Sequence, residues 1–177
     1  VSYEYVGEES PDGSATFSYN PLVDIHKMNE GGLDAVFMVA YLRQLERSDE
    51  MLQAATAKAD RLLSLIEQRI SECNGYAAIA YSPEELYLNK QNGVKSVVLG
   101  IENGYAIAKD INNISRYADL GVSYMTLCHN GDNDICDSAR GKMEHNGLSA
   151  FGKEVVMEMN RVGMMVDMSH ASEKSFY

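Results

Sequence analysis

Long apolar runs are missing from this sequence. None approaches the roughly 20 residues that a membrane span needs, and no basic segment followed by an apolar one opens the chain, so neither a transmembrane segment nor a signal peptide is expected. Basic charge is scarce too. Fifteen Lys and Arg stand against 26 Asp and Glu, for a formal net charge of −11, which argues against nucleic acid or an anionic membrane as partner. A small zwitterionic substrate stays compatible with that charge, because the field inside a cleft is set by local residues. Cysteine is sparse: Cys73, Cys128 and Cys136 are an odd set without C-x-x-C spacing. They suggest neither a disulfide framework nor a thiolate zinc site. Low-complexity stretches are absent, and none of these features assigns a compartment.

What is present reads as one globular domain, with 45% hydrophobic and 23% charged residues in a 177-residue chain. Residues 1–19 alternate, turn at Ser10-Pro11-Asp12-Gly13, and are expected to form a surface hairpin. A short helix near Val23–Asn29 precedes Gly31-Gly32, and residues 34–42 form an apolar run of strand length. Ser48 is a candidate cap for a long helix whose stripe is Leu52, Ala55, Ala59, Leu62, Ile66 and Ile70, ending by Gly75. Ser82-Pro83-Glu84-Glu85 is a capping box with proline at the first helical position. Strands then alternate with helices: residues 94–102, a helix marked by Ile107, Ile111, Ile114 and Ala118, residues 122–128, a helix marked by Phe151, Val155, Met159 and Val162, and residues 164–169.

Such alternation predicts right-handed βαβ units and a parallel sheet. Three successive strands end in an ionisable side chain: Glu102, His129 and His170. Strand ends of a barrel converge on one mouth, whereas an open sheet has a single crevice at its switch point. The barrel is therefore the expected form. Taken singly, Glu102 also fits a solvated loop or a helix cap, and each histidine a hydrogen-bonded structural role. Jointly, one carboxylate and two imidazoles are a donor set suited to zinc. His26 and His145 read as bland, on a helix and in the long 130–147 loop. Asp132, Asp134 and Asp137 lack the spacing of a calcium loop.

Three blocks carry a resemblance: Gly100-Ile-Glu-Asn-Gly104, Tyr124-Met-Thr-Leu-Cys-His-Asn130, and the long block from Gly147 to His170. In that order they resemble the membrane (renal) dipeptidase family, and the resemblance covers most of residues 20–177. It implies a (β/α)₈ TIM-type barrel and a hydrolase that cleaves dipeptides, using two Zn²⁺ ions and a metal-bridging hydroxide. It also implies tolerance of a D-residue at the C-terminal position. By this resemblance Glu102 is the catalytic carboxylate bridging both metals, His170 ligates one of them, and His129 contacts the substrate. Asn103 departs from the glycine common there. The family's first-strand His-x-Asp pair has no match in the chain, nor do its later histidine, arginine and aspartate. Residues 1–177 are thus expected to be a single incomplete barrel domain of about four consecutive βα units, inactive on its own. The partner implied is a small dipeptide, with room for a homodimer. Two alternatives stand beside this reading: another metal-dependent barrel amidohydrolase, or a non-catalytic barrel fragment.

Overall fold

Residues 22–177 are described by the structure, a computed structural model; the hairpin expected at 1–19 lies outside them. The elements run α1 (Ile25–Gly31), β1 (Ala35–Tyr41), α2 (Asp49–Ser71), β2 (Ala77–Ile79), α3 (Pro83–Gln91), β3 (Lys95–Glu102), α4 (Asn112–Asp119), β4 (Val122–Thr126), α5 (Ala150–Val162), β5 (Met165–Asp167) and α6 (Glu173–Phe176). They form two compact units, one of residues 22–36 and 67–97, the other of residues 37–66 and 98–177.

In the first unit β2 lies parallel to the start of β3, with Ala77 beside Lys95 and Ile79 beside Val97. Ser96 N donates to Asp34 O at 2.9 Å, which sets the start of β1 along the same strand. α3 starts as its sequence predicts: the Ser82 hydroxyl accepts from Glu85 N at 3.2 Å, with proline in the first turn. The Glu85 carboxylate returns to Tyr81 N at 2.7 Å. β2 was not expected, since three residues are too short to show a period.

The second unit holds the sheet that matters for function, with strand order β1-β3-β4-β5. Glu102 pairs with Thr126 and Thr126 with Asp167, both in parallel register, and Leu42 N donates to Glu102 O at 3.1 Å. Alternation along the strands separates two faces. Leu99, Ile101 and Met125 on one face are fully buried, as are Ile114 and Tyr117 of α4 and Val155 and Met159 of α5. α4 packs on β4, and α5 on β5 and α4. The opposite face carries Phe37, Gly100, Glu102, Tyr124, Thr126, Met165 and Asp167. Phe37 is 49% and Met165 53% exposed there, so this face is not enclosed by the described residues. The architecture is a partial α/β barrel with a parallel sheet that does not close.

One boundary and one buried stripe differ from expectation. Ile107 belongs to a 3₁₀ turn, Gly104–Ile107, and the chain then passes through Ala108 and Lys109 at φ +51 and +60 before α4 begins. Ile107 is 1% exposed, so its apolar spacing reported burial and not helical continuity. On α2, Leu63 is buried where Leu62 was expected to be; the stripe drifts because 3.6 residues per turn does not divide evenly into steps of three and four.

Candidate metal centre

Glu102 is the last residue of β3. His129 and His170 lie just past the last ladder residues of their strands, Thr126 in β4 and Asp167 in β5. These three side chains, all half-buried, bring one ligand atom each within 4.8 Å of the others. His129 Nε2 and His170 Nε2 each stand 3.5 Å from Glu102 Oε1. Their rings are 4.2 Å apart between centroids, and Tyr41 packs edge-on against His129 at 4.9 Å.

Those separations fit a metal. A direct N–H···O bond closes to about 2.9 Å, so neither imidazole is hydrogen-bonded to the carboxylate at 3.5 Å. Two donor atoms on a tetrahedral ion with bonds of about 2.0–2.2 Å stand roughly 3.4 Å apart. One carboxylate oxygen and two imidazole nitrogens are also the donor chemistry that zinc takes.

Local backbone chemistry explains how each donor is aimed. After Glu102 the chain turns at Asn103, which takes φ +91, a conformation ordinarily left to glycine. Its fully buried amide holds the turn: Nδ2 donates to Leu42 O at 3.1 Å and Gln44 Oε1 at 3.2 Å, and Oδ1 accepts from Tyr105 N at 3.1 Å. Asparagine therefore does here what glycine does by freedom alone. His170 is itself at φ +66. The preceding turn is closed by Asp167, whose Oδ1 accepts from Ser169 N at 2.9 Å and from the Ser169 hydroxyl at 2.7 Å.

Burial is the main influence pushing the His129 pKa below its ordinary value; the neighbouring His170 and Arg140 push the same way, against Glu102. A neutral imidazole at physiological pH is the form that ligates metal or offers one N–H to a substrate oxygen. Burial pushes Asp167 upward, but Ser169 N–H, the Thr126 and Ser169 hydroxyls and His170 together bring it below the usual carboxylate range. Tyr124 is raised by burial and then by Asp167 and Glu102.

The remaining candidates are occupied elsewhere. His26 is exposed on α1, and His145 Nε2 lies 2.8 Å from Asn133 O. Asp137, fully buried, accepts from His145 N at 2.9 Å and Gly147 N at 2.8 Å. Asp132 accepts from Ser138 N at 2.7 Å and Lys142 N at 2.6 Å. Asp134 pairs with Arg47 and Lys109 at 3.6 and 3.4 Å. Asp132 and Asp137 thus hold their own loop, and Asp134 ties it to Arg47 and Lys109. Sequence reasoning missed Thr126 and Asp167, one and two strands over from Glu102, which meet at 2.7 Å. The signal was available: Asp167 is an ionisable residue inside an apolar strand, as Glu102 is.

The sequence model of the membrane dipeptidases, peptidase family M19, matches residues 8–177. Dipeptidase verJ of Clonostachys rogersoniana is 33% identical over 160 residues, covering 84% of this chain and 40% of that protein. The chain thus spans about two fifths of that relative's length. An amidohydrolase from Pseudomonas aeruginosa superposes with a TM-score of 0.74 at 26% identity, over 86% of this chain and 43% of its own. A metallo peptidase from Rhodobacter sphaeroides, solved with a phosphinate mimic of the dipeptide L-Ala-D-Ala, shares the fold at a TM-score of 0.76 and 19% identity, over 87% and 51% of the two chains. With a match that runs through all three strand ends, the chain belongs to the membrane dipeptidase family.

Proposed function

We propose that this chain supplies part of the active site of a zinc-dependent dipeptidase, with Glu102 and His170 as metal ligands and His129 as the substrate-binding residue. The observation that carries the metal reading is the convergence of the His129 and His170 nitrogens on one oxygen of Glu102 at 3.5 Å each; the division of roles between the two imidazoles rests on the family resemblance, since these distances are equal. Bound zinc would polarise the scissile carbonyl and activate water. Glu102 would be the catalytic carboxylate, with two oxygens available to hold a pair of ions. His170 adds one nitrogen donor. His129, kept neutral by burial, donates an N–H to the substrate carbonyl as negative charge develops on its oxygen, a contribution of about 10²–10³ in rate for one such donor. The family match supports a dipeptide as the substrate class. Tolerance of a D-residue at the C-terminal side is in line with the mimic carried by the Rhodobacter relative.

Metal content by elemental analysis, read beside kcat in the full-length protein, tests these roles. Glu102→Gln should lower zinc content, because a neutral amide bridges two cations poorly. His170→Ala should lower it by removing a nitrogen donor. His129→Ala should retain metal and lose about 10²–10³ in kcat. A His129→Ala protein that loses zinc while His170→Ala keeps it would mean the two roles are exchanged. Full zinc and full activity in all three variants would make Glu102, His129 and His170 merely structural.

We further propose that residues 1–177 alone turn over dipeptides poorly, because two family ligands fall short of the three protein ligands that a catalytic zinc normally has. Hydrolysis by the isolated chain at the rate of the full-length protein would refute this.

A further inference from the structure

Beyond Thr126 and Asp167 the ladder between β4 and β5 stops, although Leu127 N still reaches Asp167 O at 3.2 Å. His129 and His170 both lie past that point, on turns with no ladder pairing to fix their spacing. One side chain bridges them. Ser138, 1% exposed in the 130–147 loop, lies with its hydroxyl 2.5 Å from His129 O and 3.2 Å from His170 O. Its single proton is shared between the two carbonyls, and its oxygen accepts from Arg140 N at 3.2 Å. The backbone adds to the clasp: Ala139 N donates to His170 O at 2.8 Å, and Ser138 and Ala171 form an isolated antiparallel bridge. Asp132 Oδ1 in turn holds Ser138 N at 2.7 Å.

We propose that Ser138 is a positioning residue that sets the separation between the His129 and His170 turns, and through it the metal affinity of the site. This deepens the dipeptidase reading and rests on it. His170 has a left-handed backbone, which in a non-glycine residue persists only where surroundings enforce it. Without the hydroxyl, the His170 turn keeps one amide donor in place of two donors, and the His129 carbonyl keeps only Gly131 N at 3.0 Å. The imidazole of His170 then samples orientations that miss the ion. Outer groups that orient a metal-binding histidine are typically worth about 10–100-fold in affinity when removed.

Ser175 provides the matched control. It is buried to a similar degree, at 4% exposure, and its hydroxyl donates to Asp137 O at 2.9 Å, so it braces the same loop without touching either histidine. The test compares zinc affinity, by competition with a chelator, in full-length wild type, Ser138→Ala, Ser138→Cys and Ser175→Ala, with the melting temperature of each metal-free protein. Cysteine nearly preserves shape while offering a feeble donor, and it stands in if the alanine variant does not fold. The expected result is that the Ser138 and Ser175 variants melt at similarly reduced temperatures, while only the Ser138 variants bind zinc about 10–100-fold more weakly. Wild-type zinc affinity in the Ser138 variants, or an equal loss in Ser175→Ala, overturns the assignment to Ser138. If the wild-type protein itself binds no zinc, the dipeptidase reading falls and this inference falls with it.

Discussion

β3 carries Glu102 and the 130–147 loop braces the turns of His129 and His170, and the two regions are held in opposite ways. β3 is held by burial: Val97, Leu99 and Ile101 are fully buried, in a ladder with β4 whose register shifts once, between Leu99 and Gly100. The loop has little ladder and few large apolar groups. Its backbone amides are gathered instead by polar side chains: the buried Asp137, Ser138 and Asn133 and the half-buried Asp132, with Asn133 accepting from Ile135 N and Cys136 N at 2.9 and 3.1 Å. The strand tolerates no loss of volume, whereas the loop tolerates no loss of an acceptor. This difference decides what a substitution does in each region.

The largest effect is expected from Leu99→Ala in β3, a cost of about 2–5 kcal/mol in the free energy of unfolding by urea titration. The loss should be global, moving every probe together; a cost under about 1 kcal/mol would take β3 out of the core. Asp137→Ala should come next, at roughly 2–4 kcal/mol, since two backbone donors lose a charged acceptor and stay buried. Here the effect is local. Amide hydrogen exchange should quicken at His145 and Gly147 while Leu99 and Ile101 keep their protection, and equal loss at both places would erase the contrast between the regions.

Asn103→Gly sharpens the comparison at the junction between strand and turn. Glycine accepts φ +91 without strain, so the variant isolates the amide's hydrogen bonds, and a cost of about 1–2 kcal/mol is expected. Stability equal to wild type would show that only the backbone angle matters. The smallest effect belongs to Glu158 on α5, whose carboxyl is pulled down to about 2 by Arg161 and Ser115. A carboxyl below its ordinary 4.5 adds stability that is fully present above that value and is lost as pH falls toward 2. Glu158→Gln should therefore be slightly less stable than wild type at neutral pH, and the difference should vanish as pH falls toward 2, which flattens the acid slope. A variant with the same acid slope as wild type would remove Arg161 and Ser115 as the cause.

The same contrast explains what the sequence could say. The runs at 34–42 and 94–102 read correctly as strands because burial on a sheet writes a period of two or a continuous apolar stretch. Glu102, His129 and His170 could be brought together in advance because parallel strands end on one side of their sheet. The loop left no comparable trace. Asn103 bonds to residues on either side of it in sequence, Leu42 and Asn133 among them, and Ser138 joins two turns that lie apart in the chain. No local pattern announces an amide or hydroxyl whose partners are that remote. Asp167 is a different case, since its apolar strand was read and its carboxylate overlooked.

Gly100 sits directly beside Tyr124 in the ladder between β3 and β4, and a methyl group placed on it would collide with the tyrosine ring. The ring meets Phe37 edge-on at 5.0 Å on the same face as Glu102. Positions 100 and 124 therefore draw on one volume and do not vary independently. Alanine at 100 is unfavourable while tyrosine stays at 124, yet acceptable once 124 has become small. Shrinking 124 first leaves a gap beside Phe37. Enlarging 100 alone or shrinking 124 alone each crosses a less stable intermediate, so the two positions are epistatic in size, and descendants of this sequence are expected to change their volumes together or keep both.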